Sequence, residues 1–137
     1  MSVNVFAGFD GDRRRIGDEL GATLWGGTLY ELGRGEESPY HWHFGEEEWL
    51  LAVAGSPTLR TPDGERVLRP WDFVVFRRGE EGAHQVRNDG DEPARVVFFS
   101  TVSDPEVVAY PDAGKTGVVA GFSRPGGPQL RGWVEPR

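Results

Sequence analysis

Apolar residues along the chain come in short runs, and glycine, proline and Asn-Asp turns separate one run from the next. Several runs alternate apolar with polar positions, as strands of about four to eight residues with one buried face do. No long stretch has the 3.6-residue period of an amphipathic helix, and no internal repeat is evident. The pattern favours an antiparallel sandwich or barrel. It predicts strands at 23–32, 40–44, 48–53, 58–61, 65–68, 73–77, 83–88 and 94–101.

Turn-forming residues refine this picture at two places. Gly26-Gly27 interrupts the first strong strand and indicates a bulge or a bend. Pro62-Asp63-Gly64 lies between two short strands and predicts a hairpin, because proline presets the turn and glycine relieves it. After residue 102 the pattern weakens, and 103–109 fits either a short strand or a turn of helix. Residues 121–137 indicate a loose tail that docks through Leu130, Trp133 and Val134.

The length of 137 residues is that of one domain, since two domains of half this size would each have too small a core. The 20 glycines and 10 prolines fit many short strands better than long helices. We expect an N-terminal extension over 1–22, a barrel domain over 23–102 and a C-terminal extension over 103–137. The last of these should pack on the barrel or on a partner protomer.

Charge and cysteine content exclude several classes of function. The net charge is −7, and the basic cluster Arg13-Arg14-Arg15 is flanked by acidic residues, so we expect no nucleic-acid partner. No apolar run approaches the roughly 20 residues of a membrane span, so we expect no membrane partner. The chain has no cysteine, which excludes disulfides and thiolate sites. The first residues, 1–4, show no secretory pattern, and we expect a cytoplasmic protein.

Candidate chemistry lies with the 3 histidines of the chain. His41 and His43 are spaced i, i+2, which places both imidazoles on one face of a strand, about 7 Å apart along it. A tight turn at Gly45 would let the next strand, which begins at Glu48, bring a carboxylate beside them. His84 lies on a later strand and could close the set. Three imidazoles and a carboxylate suit a divalent transition metal: Mn, Fe, Co, Ni, Cu or Zn.

Other polar residues are weaker candidates for metal ligands or catalytic groups. Glu46 and Glu47 are rival carboxylate ligands, but a solvated acidic turn is the better interpretation for them. The pattern assigns no general base, and the candidates are Glu46, Glu47 and Tyr30. Arg60 is a candidate anchor for a substrate carboxylate, and a surface hairpin position is the more common role for such a residue. The sequence pattern therefore assigns no catalytic residue.

The histidine-containing segment resembles the two conserved motifs of the cupins. The first motif is matched at every fixed position, by Gly35, His41, His43, Glu48 and Gly55. The second is matched by Gly79, His84 and Asn88. It departs from the family pattern at Trp71, where glycine is usual, and at Arg77, where proline is usual. Four residues rather than two separate Gly79 from His84. We expect this inserted loop to alter the rim of the barrel and not the ligand set.

The resemblance implies an all-β fold, the double-stranded β-helix or jelly-roll cupin barrel. It also implies one divalent metal ion (Mn, Fe, Ni, Cu or Zn), held by His41, His43, Glu48 and His84. Cupins include dioxygenases, isomerases, decarboxylases, lyases and oxidases, and also proteins that only bind a small molecule, so the fold leaves the activity open. We expect a metal-dependent enzyme of dioxygenase, isomerase or lyase type acting on a small organic molecule. The alternatives are a non-catalytic ligand-binding or sensing module with a structural metal, and a dimeric interaction protein.

The opposite faces of the same strands are also apolar. Tyr40, Trp42 and Phe44 alternate with the histidines and should point away from the metal, as Trp49, Leu51 and Val53 should. Such faces pack on the terminal segments or on another protomer, or stay partly exposed. We expect the first two together, with a homodimer, since cupins are frequently dimeric.

The metal side of the barrel should have a largely apolar wall. By strand parity, Leu50, Ala52 and Val86 share the face of the ligands. Phe76 and Phe99 join them if the registers are right, since a slip of one residue would turn them outward. Such a wall favours a small substrate that is uncharged or carries an aromatic group.

Overall fold

The computed structural model describes residues 2–7, 9, 11–121 and 129–135. The first elements are β1 (Arg13–Arg14), α1 (Ile16–Glu19), β2 (Trp25–Leu32), β3 (Trp42–His43), β4 (Glu48–Ala54), β5 (Thr58–Thr61) and β6 (Gly64–Val67). They are followed by β7 (Phe73–Phe76), β8 (Gln85–Arg87), β9 (Ala94–Thr101), β10 (Glu106–Tyr110), β11 (Lys115–Ala120) and β12 (Leu130–Val134). Short 3₁₀ turns lie at Glu80–Gly82 and Pro111–Ala113. The all-β prediction is confirmed, and the described residues contain no helix that is long and apolar enough to cross a membrane.

The strands form two facing layers. One layer is a five-stranded sheet in the order β1-β2-β9-β4-β7. The other combines a four-stranded sheet, β12-β11-β10-β3, with a three-stranded sheet, β6-β5-β8. An antiparallel bridge between His41 and His84 joins these two smaller sheets, since each backbone N–H donates to the other's carbonyl, at 3.1 and 2.9 Å. This is the jelly-roll arrangement expected from the sequence.

The core follows the alternation along the strands. Leu50 and Ala52 of β4 are fully buried between the layers and pack with Val86 of β8 and Phe76 of β7. On the other face of the same sheet, a second cluster packs against part of the N-terminal extension, and its members are Ile16, Leu29, Val53, Val97, Leu51, Phe99, Val3, Val5 and Phe9. The five-stranded sheet is therefore covered on both faces, which explains why β4 is apolar at successive positions.

The register of β9 corrects one expectation. Phe98 lies opposite Leu50, and Phe99 lies opposite Trp49. Residues directly opposite each other share a face, so Phe98 belongs to the inner cluster and Phe99 to the outer one. The prediction that Phe99 lines the metal side is wrong by one residue, whereas the prediction for Phe76 is confirmed.

The glycine pair in β2 does not make a bulge. The pairing of β2 with β9 runs without a break from Trp25 opposite Thr101 to Leu32 opposite Ala94. Gly27 instead makes room for α1, since a Cβ at Gly27 would lie 3.2 Å from Ile16 Cγ1 and a Cβ at Gly17 would lie 2.8 Å from the Gly27 nitrogen. A Cβ at Gly26 would lie 2.8 Å from Ser100 Oγ of β9. Contacts with other segments, which the local pattern does not reveal, therefore explain both glycines.

The segment after residue 102 adds strands to the second layer. The segment 103–109 contains β10, which pairs with β3 on one side and β11 on the other. Residues 122–128 and 136–137 of the predicted tail lie outside the described residues. The described part forms β12, which pairs with β11, and its Trp133 ring contacts Tyr110 at 5.7 Å between centroids.

Two glycines of the first motif allow a test of this packing. Gly55 and Gly35 both have positive φ, +75° and +79°. A Cβ at Gly55 would lie 2.6 Å from the Pro93 carbonyl oxygen, whereas a Cβ at Gly35 would meet no atom within 4 Å. We expect Gly35→Ala to lower the free energy of unfolding by about 1 kcal/mol through backbone strain, and Gly55→Ala by about 3 kcal/mol through strain and overpacking. Denaturant unfolding measures both, and equal losses would contradict the packing described at Gly55.

Candidate metal centre

The four candidate ligands come from both layers of the barrel. His43 lies in β3, His41 lies two residues before it, and the backbone bridge sets His84 beside His41. Glu48 begins β4 in the facing sheet. The ring centroid of His41 lies 5.0 Å from that of His43 and 4.5 Å from that of His84. The structure therefore brings together all four residues that the sequence singled out.

The Nε2 atoms of the three rings converge on one carboxylate oxygen. Glu48 Oε2 lies 2.9 Å from His43 Nε2, 3.1 Å from His84 Nε2 and 3.9 Å from His41 Nε2. The ligand atoms of His41, His43 and Glu48 all lie within 4.8 Å of one another. Such a set of imidazole nitrogens around one carboxylate has the composition of a transition-metal site.

Backbone carbonyls fix two of the rings from behind. His41 Nδ1 lies 2.9 Å from the Pro39 carbonyl oxygen, and His84 Nδ1 lies 2.9 Å from that of Gly82. Because a carbonyl only accepts hydrogen bonds, each Nδ1 donates, and the lone pair of a neutral ring is on Nε2. This tautomer is the one that binds a metal through Nε2.

The inserted loop takes part in this arrangement. It forms the 3₁₀ turn Glu80–Gly82, and its last carbonyl is the one that holds His84. A Cβ at Gly82 would overlap the carbonyl oxygen of Arg77, so the turn requires glycine there. The loop therefore leaves His84 directed at Glu48.

His84 provides the strongest indication that the site is built for a cation. Its side chain is fully buried, and its ring stacks on Phe76 at 3.8 Å between centroids. Among the described residues its Nε2 has no hydrogen-bond partner, yet it lies 3.1 Å from Glu48 Oε2. Two acceptor atoms at this distance repel each other unless a cation or a proton lies between them. The donor set therefore fits a divalent ion.

The charges within the cluster are tightly coupled. Burial, together with the neighbouring His84, lowers the pKa of His41 to about 4 and keeps that ring neutral. Burial alone would also lower the pKa of His43, but the neighbouring carboxylates of Glu106 and Glu48 raise it to about 10. Burial would raise the pKa of Glu48, but the hydrogen bond from His43 and the neighbouring His84 ring hold it well below its usual range. In the metal-free protein, therefore, Glu48 is ionised and His43 carries the compensating proton.

Solvent reaches the cluster from one side. The side chains of His41, His43 and Glu48 are 17%, 14% and 14% exposed, whereas His84 is 1% exposed. Tyr110 lies on β10, and its ring stacks on the His41 ring with 6.0 Å between the two centroids. A cleft of about 620 Å³ lies elsewhere, between the β5–β6 hairpin and β7, and none of the four candidate ligands lines it. The chemistry of the donor set, and not cleft size, points to the site.

The other polar candidates lie outside the ligand set. Glu47 accepts a bond from Trp49 Nε1, at 3.4 Å, and Tyr30 packs against Phe98 in the inner cluster. Glu46 lies behind His43, 3.8 Å from its Nδ1. Arg60 binds both carboxylate oxygens of Asp112, at 2.6 and 3.1 Å. The surface interpretation of Arg60 is therefore the one that its contacts favour.

Sequence reasoning missed two residues of β10, Glu106 and Tyr110. Glu106 is 4% exposed and lies 3.5 Å from His43 Nδ1. The sequence did contain a signal for Glu106, which is a single acid directly before the apolar run 107–109. A carboxylate in such a strand is buried only when it has a partner, so its position indicates a partnered site. Tyr110 carried no comparable signal, since its position beside His41 depends on the pairing of β10 with β3.

The pairing of His43 predicts a pH dependence of the metal-free protein. Its pKa in the folded state, about 10, lies above the ordinary value of 6.5. The stabilisation is therefore complete below about pH 6.5 and is lost as the pH rises through about 10. We expect the free energy of unfolding, measured with a chelator present, to fall between about pH 7 and pH 10. His43→Gln should flatten this slope, and an unchanged slope in that variant would contradict the pairing.

Comparison with known proteins places the chain in a family. The family model described as "Cupin domain" matches residues 28–100. The tetracenomycin polyketide synthase protein TcmJ of Streptomyces glaucescens is 38% identical over 69 residues, which are 50% of this chain and 44% of that protein. The chain thus spans less than half the length of this curated relative.

Solved structures extend the likeness beyond the matched segment. A protein from Acidithiobacillus ferrooxidans, provisionally assigned as a sugar phosphate isomerase, is 28% identical, with a TM-score of 0.77 over 90% of this chain and 74% of that one. A sugar phosphate isomerase of the cupin superfamily from Silicibacter pomeroyi is 24% identical, with a TM-score of 0.80 and the same coverage of both chains. The sequence match includes both motif regions and the fold extends over both layers, and the chain belongs to the cupin family.

Proposed function

We propose that the protein is a metal-dependent enzyme that acts on a small organic molecule with neighbouring oxygen atoms. In this proposal His41, His43, Glu48 and His84 hold one divalent ion. The convergence of three Nε2 atoms on Glu48 Oε2 carries the proposal. A bound ion would supply Lewis acidity toward a carbonyl or hydroxyl oxygen of the substrate.

The uneven exposure of the cluster supports an enzyme over a purely structural metal site. A structural ion is closed off by its ligands, whereas a catalytic one keeps a position open. His84 closes the inner side here, and the partly exposed His41 and Glu48 leave the outer side accessible. A small molecule can approach the cluster from that side, and the apolar inner cluster behind His84 excludes water.

We favour isomerase-type chemistry, in which a proton moves between neighbouring carbons of a hydroxycarbonyl compound. The provisionally assigned sugar phosphate isomerase from A. ferrooxidans resembles 90% of this chain. Tyr110 places a phenol-bearing side chain against His41, and burial raises its pKa, so the phenol stays protonated and can donate to a substrate oxygen.

A second candidate is an aromatic, polyketide-like substrate. Trp133 is 59% exposed and contacts Tyr110, so two aromatic rings lead from His41 toward the surface. The relative TcmJ, matched over half of this chain, belongs to a polyketide synthase. A planar substrate could stack on these rings while its oxygens face the cluster.

A homodimer remains part of the proposal. Trp25 and Phe73 are 52% and 51% exposed on the outer face of the five-stranded sheet, and each meets Trp49 edge-on. Aromatic residues exposed together in this way are typical of an interface. The division of the chain at 1–22, 23–102 and 103–137 and the cytoplasmic location also stay predictions.

Metal binding is tested by a matched pair of variants. We expect the protein, once stripped of metal by a chelator, to take up one equivalent of Mn, Fe, Ni, Cu or Zn and to melt at a higher temperature when loaded. Glu48→Gln keeps the volume but removes the charge, and it should weaken metal affinity at least tenfold, whereas Glu47→Gln should leave it unchanged. Calorimetric titration measures both, and equal affinities in the two variants would contradict the ligand assignment.

The reaction type is tested in deuterated water. The loaded protein is incubated with a panel of small hydroxycarbonyl compounds and polyketide-like phenols, with and without oxygen. We expect deuterium to enter at the carbon next to a carbonyl, without oxygen uptake, and Glu48→Gln to abolish this. Oxygen consumption without exchange would instead identify a dioxygenase. Ligand binding without any reaction would identify a binding module.

The role of Tyr110 is tested by removing one oxygen atom. Tyr110→Phe should lower turnover of the substrate found above by about 100-fold, the usual contribution of a positioned proton donor, while metal affinity is retained. Tyr40→Phe is the matched control, because the Tyr40 ring lies under the Arg60 guanidinium at 4.0 Å and not against His41. Equal turnover in both variants would contradict a role in proton transfer.

A further inference from the structure

A second buried polar group lies behind His43, against the nitrogen that does not face Glu48. Glu106 begins β10, and its side chain is 4% exposed. Its Oε1 lies 3.5 Å from His43 Nδ1. The pairing of β10 with β3 sets this distance, because His43 lies opposite Val108, two residues along the strand from Glu106. The two side chains are therefore held together by the backbone of two paired strands.

The chain leaves room for this carboxylate. The Gly45 N–H donates to Glu106 Oε1 at 3.3 Å. A Cβ at Gly45 would lie 2.7 Å from Glu106 Oε2 and 2.5 Å from Ser103 Oγ. Any other residue at position 45 would therefore push the carboxylate aside. Gly45, which the sequence pattern marks only as a break between strands, thus also provides the space that Glu106 occupies.

The contacts of this pair are incomplete within the protein. Among the described residues, His43 Nδ1 and Glu106 Oε2 are both buried and have no hydrogen-bond partner. A buried polar atom without a partner costs about 1–3 kcal/mol, so these two atoms are a cost to folding that hydrogen bonds do not offset. The burial of the unpartnered His43 nitrogen beside the Glu106 carboxylate therefore points to a role at the metal centre.

His43 differs in this respect from the other two histidines. Backbone carbonyls back His41 and His84, at 2.9 Å in both cases. Behind His43 lie two carboxylates instead, since Glu46 Oε2 is 3.8 Å from the same Nδ1. Glu46 is held in turn by the backbone N–H of Ser103, at 3.1 Å to its Oε1. Glu106 is the nearer of the two acids and the more deeply buried.

We propose that Glu106 is a positioning residue that accepts the Nδ1–H of His43 and so directs the Nε2 of that ring at the metal ion. The inference rests on the proposed metal site. A carboxylate behind a metal-bound imidazole fixes the ring and raises its basicity, and loss of such a partner typically weakens metal affinity about 10–100-fold. Glu106 acts through His43 and is not itself a ligand.

The same atoms would allow a different arrangement. His43, Glu46 and Glu106 present ligand atoms within 4.8 Å of one another, which is the spacing of a metal site. A second ion there would require His43 to bind metal through both of its nitrogens and to lose its last N–H proton. The positioning role requires no such loss, and it uses the Nδ1–H as a donor, as the other two histidines do.

The test compares Glu106→Gln with Glu47→Gln in the full chain, using Zn²⁺ or Co²⁺ with a competing chelator. We expect Glu106→Gln to weaken affinity 10–100-fold and to shift the visible absorption of the Co²⁺ form, while Glu47→Gln changes neither. A merely structural role would lower the melting temperature of the metal-free and loaded forms alike. Should Glu106→Gln fail to fold, Glu106→Asp keeps the charge but withdraws it from the ring, and it should weaken affinity in the same direction.

The outcomes separate this inference from the proposed function. If the unaltered protein binds no metal, the metal site fails, and the inference fails with it. If the unaltered protein binds one ion and Glu106→Gln binds it equally well with an unchanged spectrum, only the positioning role is overturned. Two ions in the unaltered protein and one in Glu106→Gln would make Glu106 a ligand of a second site and would also overturn it.

Discussion

Three imidazole nitrogens directed at one carboxylate oxygen are the constraint on which the rest of the site depends. His84 Nε2 is the decisive member, because it is fully buried, has no hydrogen-bond partner in the part of the chain that the structure describes, and lies 3.1 Å from Glu48 Oε2. In a low-dielectric interior, two electron-rich atoms this close are unfavourable without positive charge between them. A proton on His43 meets part of this requirement, and a divalent cation would meet all of it.

The barrel builds this arrangement from ordinary elements. The backbone bridge between His41 and His84 joins the two smaller sheets, and it places two of the rings side by side. Glu48, the first residue of β4, reaches them from the facing sheet, and its Oε2 lies 3.1 Å from His84 Nε2. The rings are fixed from behind by carbonyls of Pro39 and Gly82, which settles their tautomers before any ion binds. The site is thus preorganised by backbone geometry more than by side-chain packing.

Local pattern was sufficient for the strands β2 to β9 and for the ligand candidates, but not for β1 or for the strands after residue 102. The i, i+2 spacing of His41 and His43 fixes a shared face whenever the segment is extended, and the break at Gly45 followed by an apolar run marks Glu48 as the start of the next strand. What failed depended on contacts between distant segments. The side of Phe99 is set by the register of β9, and Gly27 in β2 is explained by a helix packed over it. Glu106 and Tyr110 belong to the site only because β10 pairs with β3.

The most direct test of the metal centre is an X-ray absorption spectrum of the protein purified without a histidine tag from metal-replete cells. The account predicts one transition-metal edge, nitrogen and oxygen neighbours at about 2.0–2.2 Å, and the outer-shell scattering of about three imidazoles. An absent edge in a folded protein, or an ion surrounded only by oxygen without imidazole scattering, would contradict the claim that His41, His43, His84 and Glu48 form a metal site.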